Sequence, residues 1–497
     1  MLGAKDHFGT MTKIILGSAV FLCIVIALHN LSWTQQFVCS SIPVISLGQY
    51  CRTVDDRPWE LFHHLGGNGP WIPRAPARSN PNTQLPINCK ITQVHMIARH
   101  AERFPTRAAG DRHLALLERV EKSATSLTGS LSFLANWTYF TNVESPTFEE
   151  LTTTGPYAGT VQAHNTGRTL RQRYDELVNP NQTTNFWTCS SGRDVATARF
   201  FGDGFFGADW ATNGAAQLSI IPEDSDRGAD TLTPGDTCLK YVHDVDRGHD
   251  HGYTELRKWQ QTFLTPIVAR LTHDAPSITF TPDEVYSMME MCGFEILARG
   301  HSPWCDVFTH QEWLEFEYAR DLLHYYRAGP GNPFAGAMGW LWLNATTALV
   351  SNDDVTGVYF SFVHDGDIVP LLATLGILDE TGKEQMLPND RMKADRRWRT
   401  SDVVPMGGRL VFEKVTCDNT GLGRNLRRSY VRLFINDGIV DLEKSAVGAG
   451  LHMGAGMNQW VDMVQRKGQH FGDFGQVCGL PADAPGGISF LRPQYQQ

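Results

Sequence analysis

Residues 91–107 read Ile-Thr-Gln-Val-His-Met-Ile-Ala-Arg-His-Ala-Glu-Arg-Phe-Pro-Thr-Arg. The first half is apolar, rich in β-branched residues and too short for a helix of its own, so it reads as a buried strand. The run then ends in charge: Arg99, His100 and Arg103 fall within five residues, and Pro105 closes the stretch. A strand that delivers charged side chains at its C-terminal end is where open α/β sheets bind ligands. Two guanidiniums can hold one phosphoryl group through paired hydrogen bonds. A neutral histidine between them can attack phosphorus, and the neighbouring positive charge keeps its imidazole neutral at acid pH.

A second stretch repeats the pattern. Val358-Tyr359-Phe360-Ser361-Phe362-Val363 reads as a buried strand, ends in His364-Asp365-Gly366-Asp367 and runs into an apolar helix for which Asp367 is a cap. If the two strands are neighbours, both sites face one crevice. A third piece, Phe186 to Cys189, reads as a strand end before Gly192-Arg193-Asp194-Val195-Ala196-Thr197-Ala198-Arg199. Arg193 falls at the start of that helix, where a phosphate also meets free backbone amides. Segments 404–413 and 430–437 read as two edge strands of the same sheet. The aromatic-rich region 282–327 reads as the core of a helical domain.

With 497 residues the chain is long enough for a large core and two closely packed domains. The net charge of −10 and the lack of a long basic run argue against nucleic acid as a partner, but a few local arginines can still make a positive pocket. Residues 1–13 form a short polar tail. The uncharged run from residue 14 to about 33 reads as a signal-anchor helix or a cleaved signal peptide. Lys13 before it and the lack of a small-residue cleavage site after it favour the anchor. Either way the remainder is placed outside the cytosol, lumenal, extracellular or secreted. Residues 34–88, rich in Pro and Gly, read as a stalk or wrapping arm and not as core.

Arg-His-x-x-Arg-x-Pro at 99–105, the Arg193 segment and His364-Asp365 together resemble the signatures of the histidine acid phosphatases, in particular the fungal acid phosphatase and phytase branch of the phosphoglycerate mutase-like superfamily. The resemblance runs over about residues 89–497. It implies a phosphoglycerate mutase-like α/β domain (about 89–110 and 341–497) with a smaller, mainly helical insert (about 111–340). The implied activity is hydrolysis of small phosphomonoesters, as a general acid phosphatase or as a phytase acting on inositol phosphates, with no cofactor and no metal. His100 is the implied nucleophile and Asp365 the proton donor, with Arg99, Arg103, Arg193 and His364 binding phosphate. The alternative is an impaired phosphate-ester binder on the same scaffold, because Ala101 stands where most members carry Gly. No His-Glu-x-x-His, Gly-x-Ser-x-Gly or Gly-x-x-x-x-Gly-Lys motif offers a rival chemistry.

Ten dispersed cysteines suit a disulfide-bonded, non-cytosolic protein, although spacing alone assigns no pairs. The resemblance implies Cys89–Cys417, Cys238–Cys478, Cys292–Cys305 and Cys39–Cys51, leaving Cys189 unpaired. Asn136, Asn181 and Asn344 open glycosylation sequons. The sequence does not indicate an oligomeric state.

Overall fold

The computed structural model describes residues 59–74, 84–123, 127–142, 146–380, 385–419, 426–442 and 454–494. The expected anchor at 14–33 and the Cys39–Cys51 pair lie outside them. Among the described residues, no helix is long and apolar enough to cross a membrane.

The 91–107 stretch forms the strand β1 (Cys89–Arg99), at the centre of an eight-stranded mixed sheet. The others are β2 (Thr184–Cys189), β3 (Ala216–Ile221), β4 (Gly357–Val363), β5 (Arg409–Asn419), β6 (Leu426–Ile435), β7 (Gly438–Val440) and β8 (Ala455–Gly456). Seven run in the order β3-β2-β4-β1-β5-β6-β7, and β8 pairs with β6. The first four of that order are parallel, whereas β5 to β8 add antiparallel pairs. β1 and β4 are direct neighbours, Arg99 standing opposite Val363, so both charged motifs leave the same sheet edge side by side.

Alternation along β1 explains how the sheet is covered. Val94, Met96 and Ala98 point to one face, where they pack with Phe360, Phe362, Phe201, Phe205 and Leu170. The last three belong to α2 (Gly159–Tyr174) and α3 (Gly192–Phe206), which follow α1 (Arg107–Ser123) in the chain. Three further helices, α4 (His251–Asp274), α5 (Pro282–Arg299) and α6 (His310–Arg327), form a helical region. The opposite sheet face is covered by α7 (Ala335–Val350) and, beyond α8 (Asp365–Leu375), α9 (Met457–Phe471). There Trp342 and Trp460 pack against Phe412 of β5.

Three expectations change. The 111–340 span is mainly helical but also contributes β2 and β3 to the central sheet, because these short apolar runs pair in parallel beside β4. Neither β5 nor β6 is an edge strand: β5 lies between β1 and β6 and is buried along almost its whole length, and β6 pairs with β5 on one side and with β7 and β8 on the other. Residues 60–74 follow the wrapping-arm alternative and not the stalk, but residues 64–70 are buried as core. Leu65 to Asn68 are buried, Met406 N–H donates to Gly69 O at 3.1 Å, and Arg74 N–H donates to Asn436 O at 2.9 Å. The glycines and prolines make this arm irregular, yet its backbone polar groups find partners in the body of the protein, so it can be buried.

Disulfides join Cys89 to Cys417, Cys238 to Cys478 and Cys292 to Cys305, and Cys189 is a buried free thiol. Asn136, Asn181 and Asn344 are all exposed.

Candidate active site

β1 ends at Arg99 and β4 at Val363, and the residues that follow each turn into a shared crevice. His100 is 2% exposed. Its Nδ1 lies 2.9 Å from Ala101 O, and its Nε2 lies 3.4 Å from Arg103 Nε. A carbonyl can only accept and a guanidinium can only donate. The proton is therefore on Nδ1 and the Nε2 lone pair faces the crevice. Burial, and then the charges of Arg99, Arg103 and Arg193, hold the imidazole well below its usual pKa.

The arginines are fixed from behind. Arg99 Nη1 donates to Gly67 O of the arm and to Val404 O, both at 2.7 Å, and its Nη2 meets Asp365 Oδ2 at 2.8 Å. Arg103 Nη1 donates to Phe104 O at 2.8 Å. Burial and the other arginines pull Arg103 down to about 9, which still leaves it charged at acid and neutral pH. Arg193 is the second residue of α3. Thr197, one turn further, donates to Arg193 O and accepts from Ala101 N–H at 2.9 Å, tying this helix to the residue after His100. The Nε–H groups of Arg99 and Arg193 are buried and have no protein acceptor.

His364 and Asp365 open α8. Asp367, in the first turn, accepts from His364 N–H at 3.1 Å, so it reaches back to the cap position without occupying it. His364 Nδ1 lies 3.1 Å from Asp194 Oδ2 and its Nε2 3.5 Å from Glu223 Oε2. Burial opposes its charge, but Asp194, with Cys189 and Glu223, holds its pKa well above the usual value. Carboxylates stand near both ring nitrogens, and Arg193 Nη2 also lies 3.2 Å from Nδ1. Asp365 is the converse. Burial opposes its ionisation, yet Arg99 and then Arg327, 3.4 Å away, hold it well below the usual carboxylate range.

All six expected residues thus meet in one crevice. The sequence reading missed others. Region 282–327 is more than bland helical core, because α6 brings Arg320, His324 and Arg327 to the site. Their spacing of four and three puts them on one helix face, a signal that was present among the aromatics. Burial drops His324 to about 3, so it is neutral. The Gly67 carbonyl had no signal in sequence. Ala101 is not among the residues at positive φ, and its methyl packs against Leu151 and Ala163. Its neighbour Glu102 is 1% exposed, accepts from Trp71 N–H at 3.0 Å, and is pushed up to about 7 by burial.

A mixed α/β sheet with a cation-lined crevice at its parallel strand ends defines a phosphate-ester-processing protein. Residues 90–436 match the family model of the histidine phosphatase superfamily, branch 2, and the chain belongs to that family. It is 30% identical over 436 residues to phytase PHO112 of Candida albicans (87% of this chain, 90% of the relative). It is 29% identical over 452 residues to acid phosphatase PHO1 of Komagataella pastoris (88% and 92%). The crystal structure of the D. castellii phytase superposes with a TM-score of 0.77 at 29% identity, covering 86% of this chain and 90% of that one. The chain is a phosphoric monoester hydrolase of the acid phosphatase and phytase type.

Proposed function

We propose that hydrolysis proceeds in two steps through a phosphohistidine on His100. The observation that carries this reading is the fixed tautomer of His100, with Nδ1–H on Ala101 O and the Nε2 lone pair among Arg99, Arg103 and Arg193. Nε2 forms the bond to phosphorus as the ester P–O bond breaks. Arg99, Arg103, Arg193 and the imidazolium of His364 bind the phosphoryl oxygens and stabilise the charge that develops on them. The phosphoryl group competes with Asp365 for Arg99 Nη2. Released from that ion pair, Asp365 takes up a proton, gives it to the leaving alkoxide, and then accepts one from the water that frees phosphate.

The leaving group has room in a cavity of about 270 Å³ lined by Asp236, Tyr241, His249, Arg327 and His364. Substrates of this site include inositol phosphates, a reading supported by the phytase names of one relative and of the structural neighbour. The disulfides and exposed sequons support a lumenal or extracellular catalytic domain with glycans at Asn136, Asn181 and Asn344. Residues 14–33 serve as its anchor. N-terminal sequencing of the mature protein tests the anchor: a start between about residues 29 and 45 means a cleaved signal peptide.

Enzyme incubated with a phosphate-radiolabelled phosphomonoester, quenched in alkali, where the P–N bond of phosphohistidine survives, and digested at alkaline pH tests the mechanism. Label on the peptide carrying His100 is expected, and label elsewhere, or none under conditions of turnover, rejects the intermediate. A panel of an aryl phosphate beside inositol hexakisphosphate tests the substrate class.

A further inference from the structure

Three adjacent parallel strands, β3, β2 and β4, end beside one another. Cys189 is the last residue of β2, Glu223 follows β3 by two residues, and His364 follows β4 directly. Cys189 Sγ stands 3.6 Å from His364 Nε2, which stands 3.5 Å from Glu223 Oε2. The three donor atoms lie within 4.8 Å of one another. A tetrahedral Zn²⁺ with bonds of about 2.3 Å to sulfur and about 2.0–2.2 Å to nitrogen and oxygen needs S–N and N–O edges of about 3.3–3.6 Å. The S–N and N–O edges already match those values, and the S–O edge is no longer than 4.8 Å. On the other side of the ring, His364 Nδ1 lies 3.2 Å from Arg193 Nη2 and 3.1 Å from Oδ2 of the fully buried Asp194, whose carboxylate makes no hydrogen bond among the described residues.

We propose that Cys189 Sγ, His364 Nε2 and Glu223 Oε2 bind one thiophilic divalent ion of the Zn²⁺ class, and that this ion shuts off the phosphatase by taking His364 away from the phosphoryl group. The binding claim stands on the ligand geometry alone, whereas the inhibition claim rests on the phosphate-binding role of His364 proposed above. Coordination releases the thiol proton of Cys189 and the Nε2 proton of His364 to solvent, and the Nδ1 proton stays on the ring. Three protein ligands leave the fourth position to water, so the ion adds an inhibitory state and no catalytic step.

The full-length protein, reduced and freed of metal, is titrated with Co²⁺ under anaerobic conditions as a spectroscopic probe, and with Zn²⁺ by equilibrium dialysis. One ion per chain is expected, with a thiolate-to-cobalt charge-transfer band. Cys189→Ala and Glu223→Gln are assayed alongside. Cys189→Ala loses the band and weakens Zn²⁺ binding at least about a hundredfold, more than loss of an outer-shell partner causes. Inorganic phosphate and Zn²⁺ are expected to antagonise each other. Absence of the band, or tight Zn²⁺ binding that survives in both variants, overturns the site. A band with undiminished activity leaves the ligands standing and overturns the inhibition, and with it the phosphate-binding role of His364.

Discussion

Two buried charge clusters in this protein are built on opposite rules. Behind the sheet, Glu413 of β5 is fully buried and saturated. One oxygen accepts from Arg173 at 2.8 Å and Tyr174 at 2.7 Å, and the other accepts from Arg432, which faces it across β5 and β6. That cluster ties α2 to the sheet. In the crevice, Arg99, Arg103 and Arg193 crowd around a neutral histidine, and buried Nε–H groups of Arg99 and Arg193 lack protein acceptors. Both clusters carry arginines in low-dielectric surroundings. Hydrogen-bond saturation separates them: the cluster centred on a saturated carboxylate holds the fold, and the one with unfilled guanidinium donors holds an anion.

Substitutions can break the contrast, and the largest effect belongs to the nucleophile. His100→Ala should lower turnover by about four orders of magnitude or more while leaving thermal melting nearly unchanged. Substantial residual activity would remove His100 from the mechanism. Asp365→Asn should slow alkyl phosphates by about 10²–10⁴ and aryl phosphates far less, since a good leaving group departs without a proton. Equal losses on both ester kinds would mean that Asp365 is not the leaving-group acid.

The saturated cluster should answer in the other currency. Glu413→Gln leaves Arg173 and Arg432 without their shared carboxylate, and should cost about 3–5 kcal/mol in denaturant unfolding while the folded fraction keeps its turnover number. A large fall in turnover with unchanged stability would erase the distinction between the clusters.

Glu102 sharpens the comparison through pH. Its folded pKa of about 7 lies above the ordinary 4.5. From pH 4.5 to 7 the unfolded chain therefore sheds this proton while the folded protein keeps it, and stability falls as pH rises. The shift corresponds to about 3 kcal/mol, fully felt only above pH 7. Glu102→Gln should match the parent near pH 4.5 and exceed it by up to that amount at neutral pH. Denaturant melts at the two pH values check this, and a constant difference between them would show that Glu102 ionises normally.

The smallest effect is expected at Ala101. Its backbone is not at positive φ and its methyl is packed, so Ala101→Gly should destabilise by roughly 0.4–1 kcal/mol through unfolded-state entropy and leave activity unchanged. A faster and more stable glycine variant would mark the native enzyme as impaired.

What the sequence made legible follows from how local each signal was. Arg99, His100 and Arg103 share one strand end, His364 and Asp365 another, and Arg193 opens a helix, so each group carried its own context. Burial across the sheet was less local. β5 looked like an edge because the length of β6 and the existence of β7 decide where the edge lies, and neither is written in residues 404–413. Arg320, His324 and Arg327 had the right helical spacing, but nothing nearby told which way that face points. The burial of the 60–74 arm was missed because Gly and Pro usually mean solvent, and here the partners of its backbone come from Arg99, Met406 and Asn436.

That arm sets a clock on biosynthesis. Arg99 is held by carbonyls on both sides, and 305 residues separate it from the later one, Val404. A ribosome adding about 5–20 residues per second takes about 15–60 s to make that stretch. The first motif therefore emerges long before the segment that locks it, and Cys89 waits still longer for Cys417, 328 residues on. A growing chain can carry the nucleophile without being a phosphatase. Activity is born late, when the last strands close over the first, after most of the chain has been threaded.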